Sequence, residues 1–420
     1  MKIIHVHKYF HSRDGASRYE RGLMRLQEEA GHVVAPFAMH DERNEPTPWS
    51  EYFVSNLETK HVAFGLNAIR QFFRAAWSRE AEKKFTQLLD VFRPDIIHVH
   101  NIYTHISPSI LAVAKRRNIP VVMTVHDYAL LSANYSLWDA SNMRSMDLRD
   151  IGVLATARTR FIKGSFLATL LLELVLKAHH AKRLYDGAIA EYTTYSQFVK
   201  DVMVGAGFDA KRISVLGAYA EPLMGSYENP PPAKGARRAE PGEESEKEGV
   251  LFAGRLESYK GVQTLLESLR YLPSTVRIKI IGTGPDEERL KTFIGKDHRV
   301  EFLGFVPGNE LWSLMKQSAA VVVPSLWNEV YGLVALEAMC QGTPIIVAKS
   351  GGLPEVVGDS DAGIVVPPGD AHALARAIER VLDSSERQEA MRQAALNRAR
   401  AIGDPQEHLA KIMEIYSRCG

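Results

Sequence analysis

Residues 320–348 read AVVVPSLWNEVYGLVALEAMCQGTPIIVA. The apolar run 320–323 reads as a strand that stops at Pro324. Residues 333–340 carry a helical pattern, and 344–348 form a second apolar run. Strand, helix and strand in that order make one βαβ unit, the building block of a parallel sheet.

The same alternation extends in both directions. Downstream of Val250 the strands are expected at 250–254, 276–281, 300–303, 320–323 and 344–348, with helices beginning at Lys260 and Pro285 and spanning 309–318. The stretch 371–418 reads as helices. Upstream, strands are expected at 2–7, 32–37, 95–100, 120–125, 187–190 and 212–216, with helical patterns at 17–30 and 107–117. Gly31 is placed to stop the first helix.

Between the halves, residues 228–249 read ENPPPAKGARRAEPGEESEKEG, with many charges and almost no large apolar side chain. Such a segment cannot build a core and reads as a linker or loop. The expected organisation is therefore α/β, with two Rossmann-like domains facing each other across a cleft and helices at the C-terminus. The first domain spans 1–222, the linker 223–249 and the second domain 250–395. A last helix at 396–420 packs back on the first domain. Ligands of such sheets bind outside the carboxyl ends of the strands.

Composition limits the function classes. A chain of 420 residues implies more than one domain. Net charge is +1, so nothing global points to nucleic acid. The two cysteines, Cys340 and Cys419, do not suggest a disulfide framework and fit a reducing cytoplasm. The N-terminus reads as a strand, without the apolar region of a signal peptide. The most apolar run, FLATLLLELVL at 166–176, is too short to span a bilayer and contains Glu173. Arg158, Arg160 and Lys163 precede it, and Lys177, Lys182 and Arg183 follow. Two readings stand: a buried helix, or one lying on an anionic membrane face.

The chemistry concentrates after the strands. Glu329 and Glu337 lie eight positions apart around Gly332. Carboxylates suit sugar recognition because they accept charge-assisted hydrogen bonds from hydroxyls. The helix after Gly332 offers free N–H donors to a phosphate. Arg255 and Lys260 follow the strand at 250–254, where two cations would hold a diphosphate and stabilise it as a leaving group. Gly282 and Gly284 form a turn after another strand, and 302–307, with Val306, presents backbone groups that a nucleobase can use.

The order Gly-Arg-Leu-x4-Lys-Gly, Gly-x-Gly-Pro, Leu-Gly-x-Val, Pro-Ser, Glu-x2-Gly-x4-Glu-Ala resembles the family-4 retaining glycosyltransferases of GT-B architecture. The resemblance covers nearly the whole chain. It implies that Glu329 holds donor-sugar hydroxyls, Glu337 the ribose, and Arg255 and Lys260 the diphosphate. Main-chain groups of Tyr331, Gly332, Leu333 and Val334 would also meet donor. The loop 11–19, HSRDGASRY, looks like the family's Gly-Gly-Ala-Glu-Arg loop, with Asp14 in place of the first Gly and Ser17 in place of Glu. Gly15 still allows close approach. At 124–128, TVHDY, the resemblance brings His126 to the reacting sugar with Asp127 beside it. Arg18, His100, Asn101, Asp127 and Tyr128 join Asp14 on the acceptor side.

The implied activity is metal-independent transfer from a nucleoside-diphosphate sugar, with no cofactor. The acceptor would be a lipid-linked or growing surface glycan near the inner membrane face. His98 and His100 share a strand face, and packing or acceptor contacts are expected there rather than a metal. A nucleotide-sugar epimerase, a phosphorylase and a non-catalytic sugar-nucleotide-binding protein are the alternatives. A dinucleotide oxidoreductase would need the third glycine that 282–287, GTGPDE, lacks.

Overall fold

The computed structural model describes residues 1–56, 72–147, 151–220 and 249–420. The linker expected at 223–249 lies outside the described residues, except for Gly249. The chain forms two compact units, Met1–Gly217 with Gln406–Gly420, and Ala218–Pro405.

The first unit holds β1 (Lys2–Val6), β2 (Val33–Phe37), β3 (Ile96–Val99), β4 (Val121–Thr124), the short hairpin β5 (Trp138–Asp139) and β6 (Arg144–Ser145), β7 (Glu191–Thr194) and β8 (Ile213–Val215). Six of these form a parallel sheet in the order β2-β1-β3-β4-β7-β8. Strand order therefore reverses between β1 and β3, where a crevice opens at the carboxyl ends. The helices are α1 (Gly15–Glu29), α2 (Arg79–Phe92), α3 (Ser109–Arg116), α4 (Val153–Arg158), α5 (Phe166–Ala181) and α6 (Gln197–Gly205).

In the second unit, β9 (Gly249–Ala253), β10 (Arg277–Ile281), β11 (Val300–Gly304), β12 (Ala320–Val323), β13 (Ile345–Ala348) and β14 (Gly363–Val366) form a parallel sheet ordered β11-β10-β9-β12-β13-β14. The reversal falls between β9 and β12. Its helices are α7 (Val262–Ser268), α8 (Glu287–Ile294), α9 (Gly308–Gln317), α10 (Leu333–Cys340), α11 (Leu353–Val357), α12 (Ala371–Leu382) and α13 (Ser385–Gly403). Strands such as AVVV and IIVA are buried throughout, as sheets covered on both faces require.

The last helix, α14 (Pro405–Cys419), belongs with the first unit from Gln406 onward. Side chains hold it there. Tyr19 Oη lies 2.7 Å from His408 Nε2, and Arg418 pairs with Glu191.

Two sequence expectations need correction. The strand read at 187–190 is β7, Glu191–Thr194. Its residues EYTT are all buried although three are polar, because Glu191 meets Arg418 and Ser214 while Thr193 meets Thr124. Hydrophobicity therefore misplaced the strand by four positions. The edge strand β14 had no counterpart in the reading. The apolar run 166–176 is not a wholly buried helix, the first of its two readings. Thr169, Glu173, Val175, Leu176 and His179 of α5 face inward, while Phe166, Leu167, Leu171 and Leu174 are exposed. Among the described residues no helix is long and apolar enough to cross a membrane.

Candidate active site

In the second unit, the loops after β9 and β12 meet at the reversal of strand order. The first carries Lys260 and the second carries Ser325 and Glu329. Lys260 Nζ donates to Glu329 Oε1 at 2.7 Å, and Ser325 Oγ donates to the same oxygen at 2.6 Å. Glu329 is buried, and the Lys260 ammonium also lies 4.9 Å from the centre of the Trp327 ring. A buried carboxylate needs such partners, since an unpaired charge away from water is costly.

The backbone at Glu329 is clamped as well. Gly352 N–H donates to Glu329 O at 2.7 Å. Gly351 has φ +60°, and a Cβ there would stand 2.0 Å from Glu329 O. A side chain at 351 would displace the loop that carries the carboxylate.

Gly332 opens α10 at φ 108°. A Cβ at 332 would come within 2.4 Å of Leu353 Cδ2, so turn and packing both require glycine. Leu333 and Val334 begin the helix, where first-turn N–H groups lack intrahelical acceptors and favour an anion. Glu337, one turn further on, is buried. Tyr331 is buried too, and burial pushes its hydroxyl up to about 12. Gly282 follows β10 and its N–H bonds Gly304 O at 2.7 Å, which ties two strand-end loops together. Val306 follows β11 and is half-buried. Arg255 departs from the others: its side chain is 66% exposed and pairs with Glu257.

In the first unit, the loop after β1 leads into α1. Asp14 caps that helix. Its Oδ1 accepts from Ser17 N–H at 2.9 Å, and its own N–H donates to Ser17 Oγ at 2.9 Å. This reciprocal capping box explains both departures from the family loop, because Asp and Ser satisfy each other at N-cap and N3. Burial alone would raise the Asp14 carboxyl, but its interactions with His7 and Lys8 and the Ser17 bonds outweigh it and hold it below the usual range. Gly15 is the first residue of the helix, and Arg18 N–H bonds Asp14 O at 3.0 Å.

His126 follows β4 and is half-buried. Its Nε2 lies 2.8 Å from His100 Nδ1, and its Nδ1 lies 2.8 Å from Tyr195 Oη. Burial pushes its pKa down to about 3, so the ring is neutral. Asp127 accepts from Ala129 N–H at 2.9 Å, and burial raises its carboxyl to about 6. Tyr128 is almost wholly buried.

Nitrogens of His5, His98 and His100 lie within 4.8 Å of one another, a spacing metal ligands can adopt. All six nitrogens are already engaged. His5 meets Gln27 and His100, His98 meets Tyr416 and Thr124, and His100 meets His5 and His126. Hydrogen bonding accounts for the whole group.

On the loops after β1 and β3, four buried polar atoms have no hydrogen-bond partner: His7 Nε2, His11 Nε2, Asn101 Oδ1 and Tyr103 Oη. Lys8 N–H bonds Asn101 O at 3.2 Å and joins the two loops. Unsatisfied groups gathered at a strand-end crevice suit a ligand with hydroxyls. Of these, the sequence reading singled out only Asn101. His7 and His11 could have been found from their strand-end position after β1.

Comparison with known proteins shows the family and the fold. The description Glycosyltransferase Family 4 matches residues 13–217, and Glycosyl transferases group 1 matches residues 234–398. A D-inositol 3-phosphate glycosyltransferase of Corynebacterium efficiens is 30% identical over 288 residues, covering 65% of this chain and 68% of that relative. The chain belongs to the family 4, group 1 glycosyltransferases. A D-inositol 3-phosphate glycosyltransferase of Corynebacterium glutamicum is 32% identical over 233 residues, which are 53% of this chain. That match spans 55%, about half, of the relative's length.

Among solved structures, sucrose-phosphate synthase of Thermosynechococcus elongatus superposes at TM-score 0.70 with 18% identity, covering 99% of this chain and 98% of its own. HepE of Anabaena, in complex with UDP and glucose, does so at TM-score 0.67 with 18% identity and full coverage of both chains. Likeness at that identity shows the fold, which is GT-B. As a family 4 glycosyltransferase, the chain carries Lys260, Glu329 and the start of α10 at the second sheet's reversal point. His126, Asp14 and Asn101 follow strands of the first.

Proposed function

We propose that this glycosyltransferase moves a sugar from a nucleoside-diphosphate sugar to a hydroxyl acceptor with retention at the anomeric carbon. The Lys260–Glu329 pair, set beside the start of α10 at the reversal of strand order, carries the reading. Lys260, with Arg255 turned from Glu257, meets the diphosphate. Glu329 takes hydroxyls of the sugar and Glu337 the ribose. Backbone N–H groups at Gly332, Leu333 and Val334 face phosphate.

The bond from the anomeric carbon to the diphosphate oxygen breaks, and the acceptor oxygen bonds that carbon from the same face. The acceptor proton passes to a departing phosphate oxygen. Protein cations meet the leaving charge, so we expect turnover to continue in a chelator. Complete loss there, with rescue by manganese, would overturn that expectation.

HepE was solved with UDP-glucose, which makes a uridine donor the first to test. A lipid-linked or growing surface glycan is the proposed acceptor class. The fold neighbour WaaG, 16% identical at TM-score 0.63, is described as acting in lipopolysaccharide biosynthesis. The exposed leucines of α5 and the cations around it support contact with the inner membrane face.

The test is thermal stability against uridine, guanosine and adenosine diphosphate sugars, followed by NMR of the released sugar's first anomer. A ligand at 100 times its Kd adds about 2.7 kcal/mol of stability. One nucleotide class should shift the wild type and not Glu337→Ala, and an α-linked donor should release the α-anomer first. Absence of any shift in folded protein would remove the donor assignment.

A further inference from the structure

Gln27, wholly buried on α1, stands at the head of a line of hydrogen bonds within the first unit. Its Oε1 lies 2.8 Å from His5 Nε2. His5 Nδ1 lies 3.1 Å from His100 Nε2, His100 Nδ1 lies 2.8 Å from His126 Nε2, and Tyr195 Oη lies 2.8 Å from His126 Nδ1. The rings are uncharged, because burial lowers His5 to about 4, His126 to about 3 and His100 well below its ordinary value.

A neutral imidazole has one N–H and one acceptor nitrogen, and an amide oxygen can only accept. His5 therefore carries its proton on Nε2 and accepts at Nδ1. His100 must supply that proton from Nε2, which leaves its Nδ1 to accept. His126 then donates from Nε2 and accepts the Tyr195 hydroxyl at Nδ1. The second arm agrees. Gln27 Nε2 donates to Tyr416 Oη at 3.2 Å, and in the same order of protons the tyrosine hydroxyl donates to His98 Nδ1, 2.5 Å away. His98 thus carries its own proton on Nε2, toward Thr124 Oγ1 at 2.7 Å. Turning the amide over would reverse the links from His5 to His126.

We propose that Gln27 is a positioning residue that acts through His5 and His100 to hold His126 as the Nε2–H tautomer. His126 then meets its ligand as a hydrogen-bond acceptor at Nδ1. Of these four imidazoles only His126 has surface exposure; His5, His98 and His100 have none. A sugar hydroxyl that displaces the Tyr195 hydroxyl donates to Nδ1. That last step rests on the transferase reading above, whereas the tautomer order does not.

The test is a long-range proton–nitrogen correlation spectrum of the full chain with 15N-labelled histidine rings at neutral pH. The signals of His126 are identified by their loss in His126→Asn. His5, His98, His100 and His126 should each show a protonated Nε2 and a bare Nδ1. A His126 protonated on Nδ1 in the wild type overturns the proposal without any variant.

Gln27→Met, similar in size and without an amide, should give averaged nitrogen shifts for His5, His100 and His126. Turnover should fall about fivefold to tenfold, the loss of one neutral hydrogen bond. Tyr195→Phe should leave the tautomer of His126 unchanged. A change in Tyr195→Phe but not in Gln27→Met would assign control to the tyrosine and overturn the role of Gln27. Altered shifts with unchanged turnover would leave the tautomer control standing and remove His126 from sugar binding.

Discussion

Lys260 Nζ and Glu329 Oε1 are 2.7 Å apart, although 69 residues separate them in sequence. The pair joins the loops after β9 and β12, so the fold itself brings cation and carboxylate together. In the proposed reaction, a diphosphate arriving at this point would compete with Glu329 for the ammonium and release Glu329 toward the sugar. Lys260→Ala should lower turnover about 10²-fold or more, the scale of losing one preorganised charge partner of a leaving group. Circular dichroism should show the fold retained. Unchanged turnover would remove Lys260 from the mechanism.

Gly351 is the second lever on the same carboxylate. With φ +60° and a Cβ position 2.0 Å from Glu329 O, alanine there must push the loop away. We expect Gly351→Ala to lose about 1–3 kcal/mol of stability, the usual size of such strain. Donor-dependent stabilisation should fall with it, because the displaced backbone is that of Glu329. Urea unfolding with and without donor measures both. Full donor response in a destabilised variant would separate Gly351 from the site.

These two levers show what sequence could and could not supply. Alternating apolar runs placed most strands, because strands covered on both faces are continuously hydrophobic. β7 escaped because its burial is polar, with Glu191 and Thr193 satisfied by Arg418 and Thr124. Lys260 and Glu329 were legible because their motif spacing survives in one dimension. The line from Gln27 to His126 was not. Its members come from β1, α1 and the loops after β3, β4 and β7, and only the folded sheet sets them side by side. Gly351 was missed for a similar reason, since its neighbour Glu329 lies across the sheet end and not along the chain.

The buried imidazoles also make stability depend on pH. Burial lowers His5 and His7 to about 4, and His105, His126 and His408 to about 3; all five belong to the first unit. Unfolding returns them to about 6.5, so the unfolded chain binds more protons between pH 6.5 and those values. Their contribution is complete above pH 6.5 and is lost as pH falls. A single such histidine costs about 2 kcal/mol at pH 5. Glu20, raised by burial to about 8, and Asp127, raised to about 6, act in the opposite direction. Five imidazoles outweigh two carboxyls, and chemical denaturation should show clearly lower stability at pH 5.0 than at pH 7.5. Equal or higher stability at pH 5.0 would mean that the histidines are not held neutral.

The outward face of α5 yields the last prediction. Leu167 is 59% exposed and Leu174 47%, with Phe166 and Leu171 beside them and Leu154 of α4 at 58%. Exposed Arg158, Arg160, Lys163, Lys182 and Arg183 flank this apolar stripe. Five cations near an anionic surface contribute roughly 1 kcal/mol each, and inserted leucines add about 25 cal/mol for each Å² buried. Either contribution alone is modest and the two together hold a protein at a membrane. Sedimentation with vesicles containing anionic lipid should bring down the wild-type chain, whereas neutral vesicles should not. Leu167→Ser with Leu174→Ser should weaken that binding without lowering thermal stability, because neither side chain fills the core. High salt should weaken it further through the cations. Equal binding to neutral and anionic vesicles would assign the contact to the leucines alone, and no binding to either would return α5 to a purely structural role.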